Sequence, residues 1–429
     1  MSMGKQGPKT AVPRLRFPEF HEADSWKPTK LSELLRERKQ RNRDLKFGTG
    51  EVLSVSGEHG CVNQIELLGR SYAGASVKEY HVVETGDLVY TKSPLKKNPY
   101  GIIKENKGEP GIVSTLYAVY HVTESAHSTY LDHFFSRDFH LNSYLQPIVR
   151  KGAKNDMKVN NSAVLSGEVL APNKLEQKKI ADCLTSLDGV IAAQGRKVEA
   201  LKAHKRGLMQ QLFPREGETR PRLRFPEFRN APEWSESRLG QLVELQSGAT
   251  PSKANPEFWN GNIPWVSAKD MKQLFLEDSE DHISSAAIES GAKTVPSGSL
   301  LILTRGMTLL KDVPICVVRR DMALNQDVKA LRPKNGVESM FLAFLLIASK
   351  ERLLAMVDIA GHGTGKLDTD GLRDFGLAIP KPEEQQRIAD CLASLDNQIT
   401  AETARLAALK THKQGLMQQL FPVAESVAA

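Results

Sequence analysis

Lys92, Ser93, Lys96, Lys97 and Asn98 crowd one proline-containing loop, and Lys151, Lys154 and Asn155 gather around Gly152. Further along, Thr250, Ser252 and Lys253 follow Gly248, and Lys269 stands alone. Thr304 and Arg305 precede Gly306, Asn325 adjoins Gln326, and Thr364 and Lys366 bracket Gly365. Cations, amides and hydroxyls of this kind carry one recognisable chemistry, the reading of base edges. Arg or Lys suits guanine, Asn or Gln suits adenine, and Ser or Thr suits either. Glycines beside them let a backbone approach a ligand closely. Each charged run reads equally as a solvated face, and Asn325 with Gln326 reads equally as the cap of a turn.

Covalent chemistry finds less support. Gly361-His362-Gly363-Thr364-Gly365-Lys366 imitates a phosphate loop, but three residues separate its outer glycines where four are needed, and Leu367 follows the lysine where Ser or Thr should stand. Asn98-Pro99-Tyr100 lacks the second proline of an adenine-methyltransferase signature, and no Gly-rich turn joins a strand to a helix for a methyl donor. His59, His81, His121, His282 and His362 have no recognisable Ser, Cys or acidic constellation. A surface turn and a non-catalytic chain are the expectations.

At 429 residues the chain has room for two or three domains. The formal charge of +7 suggests an anionic partner, and it is unevenly placed. Residues 1–175 carry +6, whereas 215–383 and 384–429 carry −1 each. Nucleic-acid contact in the second half must therefore rest on local clusters. Cys61, Cys183, Cys316 and Cys391 make no close pair and no metal-ligand spacing, as in a reduced intracellular protein. The longest apolar run, Met340 to Ala348, is too short to span a bilayer, so a cytosolic location is expected.

The elements that must hold these clusters occur twice. EQKKIADCLTSLDGVIAAQGRKVEALKAHKRGLMQQLFP, residues 176–214, returns 208 positions later as EQQRIADCLASLDNQITAETARLAALKTHKQGLMQQLFP, residues 384–422. Apolar residues at Ile180, Leu184, Leu187, Ile191, Val198, Leu201, Leu208 and Leu212 alternate steps of four and three wherever the series is unbroken. Ile388, Leu392, Leu395, Ile399, Leu406, Leu409, Leu416 and Leu420 repeat it. That is a heptad seam on two long helices, interrupted at Gln194 with Glu402 and at Lys205 with Lys413. About 37 helical residues span roughly 55 Å, the length of about 16 base pairs, so a pair of them makes a ruler. Each stops at Phe-Pro, where proline disfavours helix in the residue before it.

PRLRFPEF followed by a Trp also repeats at the same offset, from Pro13 and from Pro221, so the chain is two tandem copies of preamble, globular body and helix. The first body should open with a basic helix over Leu34–Lys46. Strands at Leu88–Tyr90 after a Gly86-Asp87 turn and at Ile112–Val122, then a helix around Tyr130–Leu145, should follow. The second should match it with a strand after Gly298-Ser299 and a helix at Phe341–Ala348. These are α+β modules. Antiparallel pairing of the helices would place two dissimilar readers at opposite ends, related by an approximate twofold axis, at a fixed separation along a duplex.

The duplicated RLRFPEF preamble, the EQxxIADCLxSLD to KxGLMQQLFP helices, SGATPSKANPEFWNGNIPWVSAKDM, LTRGM and ALNQDVKAL resemble the specificity subunits of type I restriction-modification enzymes. GDLVY and VSTLYAVYHV extend the resemblance into the first body. It implies two α/β target recognition domains, 1–175 and 215–383, separated by an antiparallel coiled coil of helices 176–214 and 384–422, with a tail at 423–429. It implies that each domain reads half of a split, asymmetric DNA target while the spacer sets the gap and carries two methyltransferase subunits. Those partners would use S-adenosylmethionine to methylate adenine N6, and restriction subunits would use ATP and Mg²⁺. A rod with two protein-binding adaptor domains is the rival reading.

Overall fold

The structure is a computed structural model that describes residues 11–74, 76–151, 157–359 and 363–422. It parts into two units, Met1–Gln194 with Arg405–Ala429, and Gly195–Ala404. The partition falls inside the long helices, so each unit holds one body, the start of the helix that follows it and the end of the other helix.

In the first unit the apolar run Leu88–Thr91 lies wholly buried in the middle of a four-stranded antiparallel sheet. The order is Leu35–Glu37, Tyr117–Val122, Leu88–Thr91, Ile102–Glu105. Gly86 turns into the central strand at φ +87°, a left-handed conformation that favours glycine. In the second unit Gly298 does the same at φ +83° before Leu300–Leu303. That strand lies in the same relative place, in the order Val243–Ser247, Val328–Pro333, Leu300–Leu303, Ile315–Val318, with Phe275–Leu276 added in parallel at the edge. One strand frame thus serves two bodies of different sequence.

Three expected elements come out differently. Leu34–Lys46 is not a helix: Leu31–Leu34 makes one short turn and Leu35–Glu37 pairs with Tyr120–Val122. The charged run has no apolar stripe to bury as a helix, while Leu34 and Leu35 both enter the core. Arg38 instead grips Asp87 through two hydrogen bonds, and the buried Asn42 ties the following loop to Phe47 and Val77. Ile112–Val122 is two strands, Gly111–Val113 and Tyr117–Val122, broken by a turn in which Tyr117 N–H donates to Ser114 O. Tyr130–Leu145 is two helices, Ser128–Phe135 and Asp138–Leu145, parted where the Ser136 hydroxyl donates back to Asp132 O. The expected second-body helix is there, as Ser339–Ala348.

The long helices run Lys174–Leu212 and Pro382–Leu420, each two residues earlier than the repeat suggests. Every seam residue is buried or half-buried. In the first unit Ile180 and Leu184 share a core with Leu416, Leu420 and Phe421; in the second, Ile388 and Leu392 share one with Leu208, Leu212 and Phe213. Within each unit the two helical stretches are therefore antiparallel.

The lysine breaks in the seam are ion pairs at equivalent repeat positions. Lys413 Nζ meets Asp188 at 2.5 Å in the first unit, and Lys205 Nζ meets Asp396 at 2.6 Å in the second.

The preamble repeats because it is bolted to the helix. Arg16 Nε and Nη2 donate to the two oxygens of Glu176, both at 2.8 Å, and Trp26 Nε1 donates to the same carboxylate at 3.2 Å. Arg224, Trp234 and Glu384 reproduce this 208 residues on, at 2.8, 2.5 and 3.4 Å. A forked guanidinium matches a carboxylate in this way, and burial removes water from competing. The next residue in each copy locks the body: Gln177 accepts from His127 N–H and donates to Ser125 O, while Gln385 accepts from Glu338 N–H and donates to Gly336 O.

Candidate nucleic-acid interface

In the second body, hydrogen bonds draw loops distant in sequence onto one surface. Thr304 is buried; its N–H and its hydroxyl both donate to Asp327 O, at 2.8 and 2.9 Å, joining the segment before Arg305 to the turn at 325–327. Asn325 is buried as well, and its Oδ1 accepts from Asp327 N–H at 3.1 Å. Both were expected to read bases; instead they shape the turn from beneath. Exposed Gln326 tops that turn, and the Thr250 hydroxyl donates to its side-chain oxygen. Ser252 and Lys253 continue the Thr250 loop into solvent.

Tight packing fixes that loop. A Cβ on Gly248 would lie 2.3 Å from the carbonyl oxygens of Leu324 and Asn325, and Trp265 Nε1 donates to Ala249 O at 3.0 Å. Arg305–Gly306 pairs with Lys366–Gly365 in a small sheet whose third strand is Val357–Ile359, so Arg305 and Lys366 stand in register. Gly365, part of the string that imitates a phosphate loop, is a strand residue here. Half-buried Thr364 precedes it, and His362 lies outside the described residues.

Charge within this surface is selective. Lys269 lies on the neighbouring segment, where Ala268 Cβ comes within 3.8 Å of where a Gly306 Cβ would sit. Its ammonium, however, meets Asp281 at 2.9 Å and Glu280 at 3.2 Å, and the hydrogen bond to Asp281 raises its pKa. Lys269 is thus a weaker candidate than its sequence suggests. Lys366 has a loose partner in Asp368 at 3.6 Å. Arg305 and Lys253 meet no carboxylate among the described residues. Elsewhere in the unit Asp374, Asp312, Asp370 and Glu216 are held by Arg238, Lys350, Arg373 and Arg352. A near-neutral sum therefore coexists with a locally cationic face.

The first body presents its candidates on a loop pinned from within. Asn98, expected to read a base, is buried; its amide donates to Asp138 at 2.8 Å, and its carbonyl accepts from Leu95 and Gly101. That fixes the exposed arc of Ser93, Lys96 and Lys97. Burial lowers the pKa of half-buried Lys92, with Glu37 opposing. Lys151 lies in the short strand Arg150–Lys151, while Lys154 and Asn155 lie outside the described residues. Exposed Arg36, Lys39 and Arg43 were missed as candidates. Their segment adjoins Lys92 through Glu37, and none has a salt bridge among the described residues. Their signal, a basic run, had been read as a helix.

Among the described residues no group of three or more His, Cys, Asp or Glu is placed to hold a metal ion. Burial pushes the Cys61 and Cys316 thiols up to about 12, which leaves them poor nucleophiles.

Residues 232–411, which contain the whole second-body surface, match the family described as "Type I restriction modification DNA specificity domain". Over that span the chain is similar to type I restriction-modification DNA specificity domains. It is 32% identical over 198 residues to the type I restriction enzyme EcoR124I/EcoR124II specificity subunit of Escherichia coli, covering 44% of this chain and 49% of that one. It is 28% identical over 172 residues to the MjaIX specificity subunit of Methanocaldococcus jannaschii, 39% of each chain. The chain thus spans half or less of the length of these relatives. Its fold resembles the type I restriction-modification S subunit of M. genitalium, with a TM-score of 0.57 at 12% identity, over 96% of this chain and 99% of that one. No helix among the described residues is long and apolar enough to cross a membrane. Inside the matched span, Thr250, Ser252, Lys253, Arg305, Gln326 and Lys366 are exposed groups whose chemistry can meet a base edge or a phosphate.

Proposed function

We propose that this chain is the DNA-recognition subunit of a cytoplasmic type I restriction-modification complex and performs no covalent step itself. One body, residues 1–175, reads one half of a split asymmetric target, and the other, 215–383, reads the second half. Helices 176–214 and 384–422 act as an antiparallel coiled-coil spacer with pseudo-twofold symmetry, which fixes the unread gap and docks two methyltransferase subunits. S-adenosylmethionine then belongs to those partners, and ATP and Mg²⁺ to restriction subunits.

One observation carries this reading. Arg305, Lys366, Gln326 and Thr250 converge on a single surface, inside the span that matches a DNA specificity domain, with Arg305 free of acid partners among the described residues. Arg against guanine and Gln against adenine are bidentate pairings, each worth about 1–3 kcal/mol of discrimination. Lys253, which meets no carboxylate among the described residues, and the loosely paired Lys366 add phosphate contacts that position without specifying. Because the second body is nearly neutral in sum, tight binding should need the assembled complex.

The test is to express the chain with its methyltransferase partner and map the methylated adenines of the host genome. A two-part site is expected, and exchanging residues 29–172 for another body should change one half alone. Binding of equal strength to every duplex of the same length would defeat the reading. Salt-independent capture of a protein, with no DNA binding by the complex, would favour an adaptor rod instead.

A further inference from the structure

We infer that the second body reads a thymine through its C5-methyl group, using Met307 and Ile359 at the rim of the ribbon that carries Arg305. This rests on the DNA-recognition reading and names what that surface selects. The ribbon is the three-stranded sheet Arg305–Gly306, Gly365–Leu367, Val357–Ile359. Ile359 is 71% exposed and Met307 63%, the two most exposed large apolar side chains among the described residues of this unit. Scattered exposed apolar residues need no explanation. These two border one small ribbon whose arginine has no acid partner among the described residues.

The register explains why they stand clear. Ile359 opposes Gly365, and Gly365 opposes Gly306, so the row across the ribbon holds one side chain, that of Ile359. Both glycines are required. Gly306 has φ +154°, and a Cβ on Gly365 would lie 2.7 Å from Leu309 Cβ. Leu309, buried beneath that face, belongs to the single turn Met307–Leu310, which packs against the ribbon and leaves Met307 and Leu310 at its rim. Alternation along the strands turns the next row, Arg305, Lys366 and Asp358, to the opposite face. The ribbon is therefore apolar on one side and mainly cationic on the other.

A duplex major groove admits a narrow β-ribbon, and the thymine methyl is the apolar feature its base edges present. The register-paired cations argue for that polyanionic occupant over an apolar protein surface. Arg305 on the other face suits a guanine edge or a phosphate.

Replacing thymine by uracil removes this methyl and nothing else. Once the target is known, each thymine in the half-site of the second body is exchanged for uracil in turn. Affinity is measured for the full chain in complex with its methyltransferase partner. At one position the exchange should weaken binding about fourfold, the worth of one buried methyl. The M307A/I359A variant should bind the thymine and uracil duplexes alike while still discriminating at the other half-site, which also shows that it folds. A half-site without an A·T pair, indifference to uracil at every position, or a thymine preference that survives in the variant overturns the inference. In each of these the complex still recognises a specific site. Absence of any specific site instead defeats the DNA-recognition reading itself, and this inference with it.

Discussion

Glu384 is nearly inaccessible and accepts from both Arg224 and Trp234, so Glu384→Gln leaves a buried guanidinium without its counter-charge. Removing one partner of such a pair costs about 3–5 kcal/mol. Urea unfolding should show a loss near 3 kcal/mol for the second unit; a change under about 1 kcal/mol would refute the bolt. Protons matter more in the first unit. Burial pushes His81 and His133 down to about 4 and His140 to about 3. His81 Nδ1 and His133 Nε2 are buried without a hydrogen-bond partner, as suits neutral rings. With folded pKa values below the unfolded 6.5, these histidines leave stability intact above pH 6.5. It is lost as pH falls toward 4, where the unfolded chain takes protons the native state refuses. The slope is about 1 kcal/mol per pH unit for each histidine. Glu105, raised by burial, works the other way and offsets part of this. Hydrogen exchange in urea at pH 7 and pH 5 should show the first unit weakening more; equal loss in both units would contradict it.

Within each unit the helices place a lysine–aspartate pair inside a mainly apolar seam. Such pairs contribute little net stability against a hydrophobic substitute, and their best-attested use is to fix partner orientation and register. Lys205 and Asp396 are each less than one-fifth exposed, whereas Asp188 is 42% exposed and its pair with Lys413 correspondingly more screened. K205D should destabilise the second unit through two facing carboxylates, and adding D396K should restore it, with a coupling of about 1 kcal/mol in a double-mutant cycle. Additive effects would show that the charges face solvent independently. The heptad spacing was legible because one stripe must be buried along the whole length. The short strands and broken helices of the bodies were not, because their ends are set by individual hydrogen bonds such as Ser136 to Asp132.

At the scale of the molecule, the proposed spacer role makes target spacing a matter of helix length. Inserting one heptad at equivalent positions of both helices keeps the seam in phase and adds about 10 Å. The recognised halves should then stand about three base pairs further apart in a methylation map. Unchanged spacing with intact recognition would remove the ruler and leave the readers.

Sequence alone determined the duplication, the two helices, their inward seam and the shared frame of the bodies. Each is written as a period or an offset that survives without neighbours. It also located the polar loops, but not which of their groups face outward. Asn98, Thr304 and Asn325 look like readers in the sequence and are buried braces in the fold, whereas Arg305 is exposed and Lys269 is already paired. Tertiary structure decided those placements, because which polar side chains face solvent and which are taken up inside the fold depends on contacts between segments far apart in the sequence.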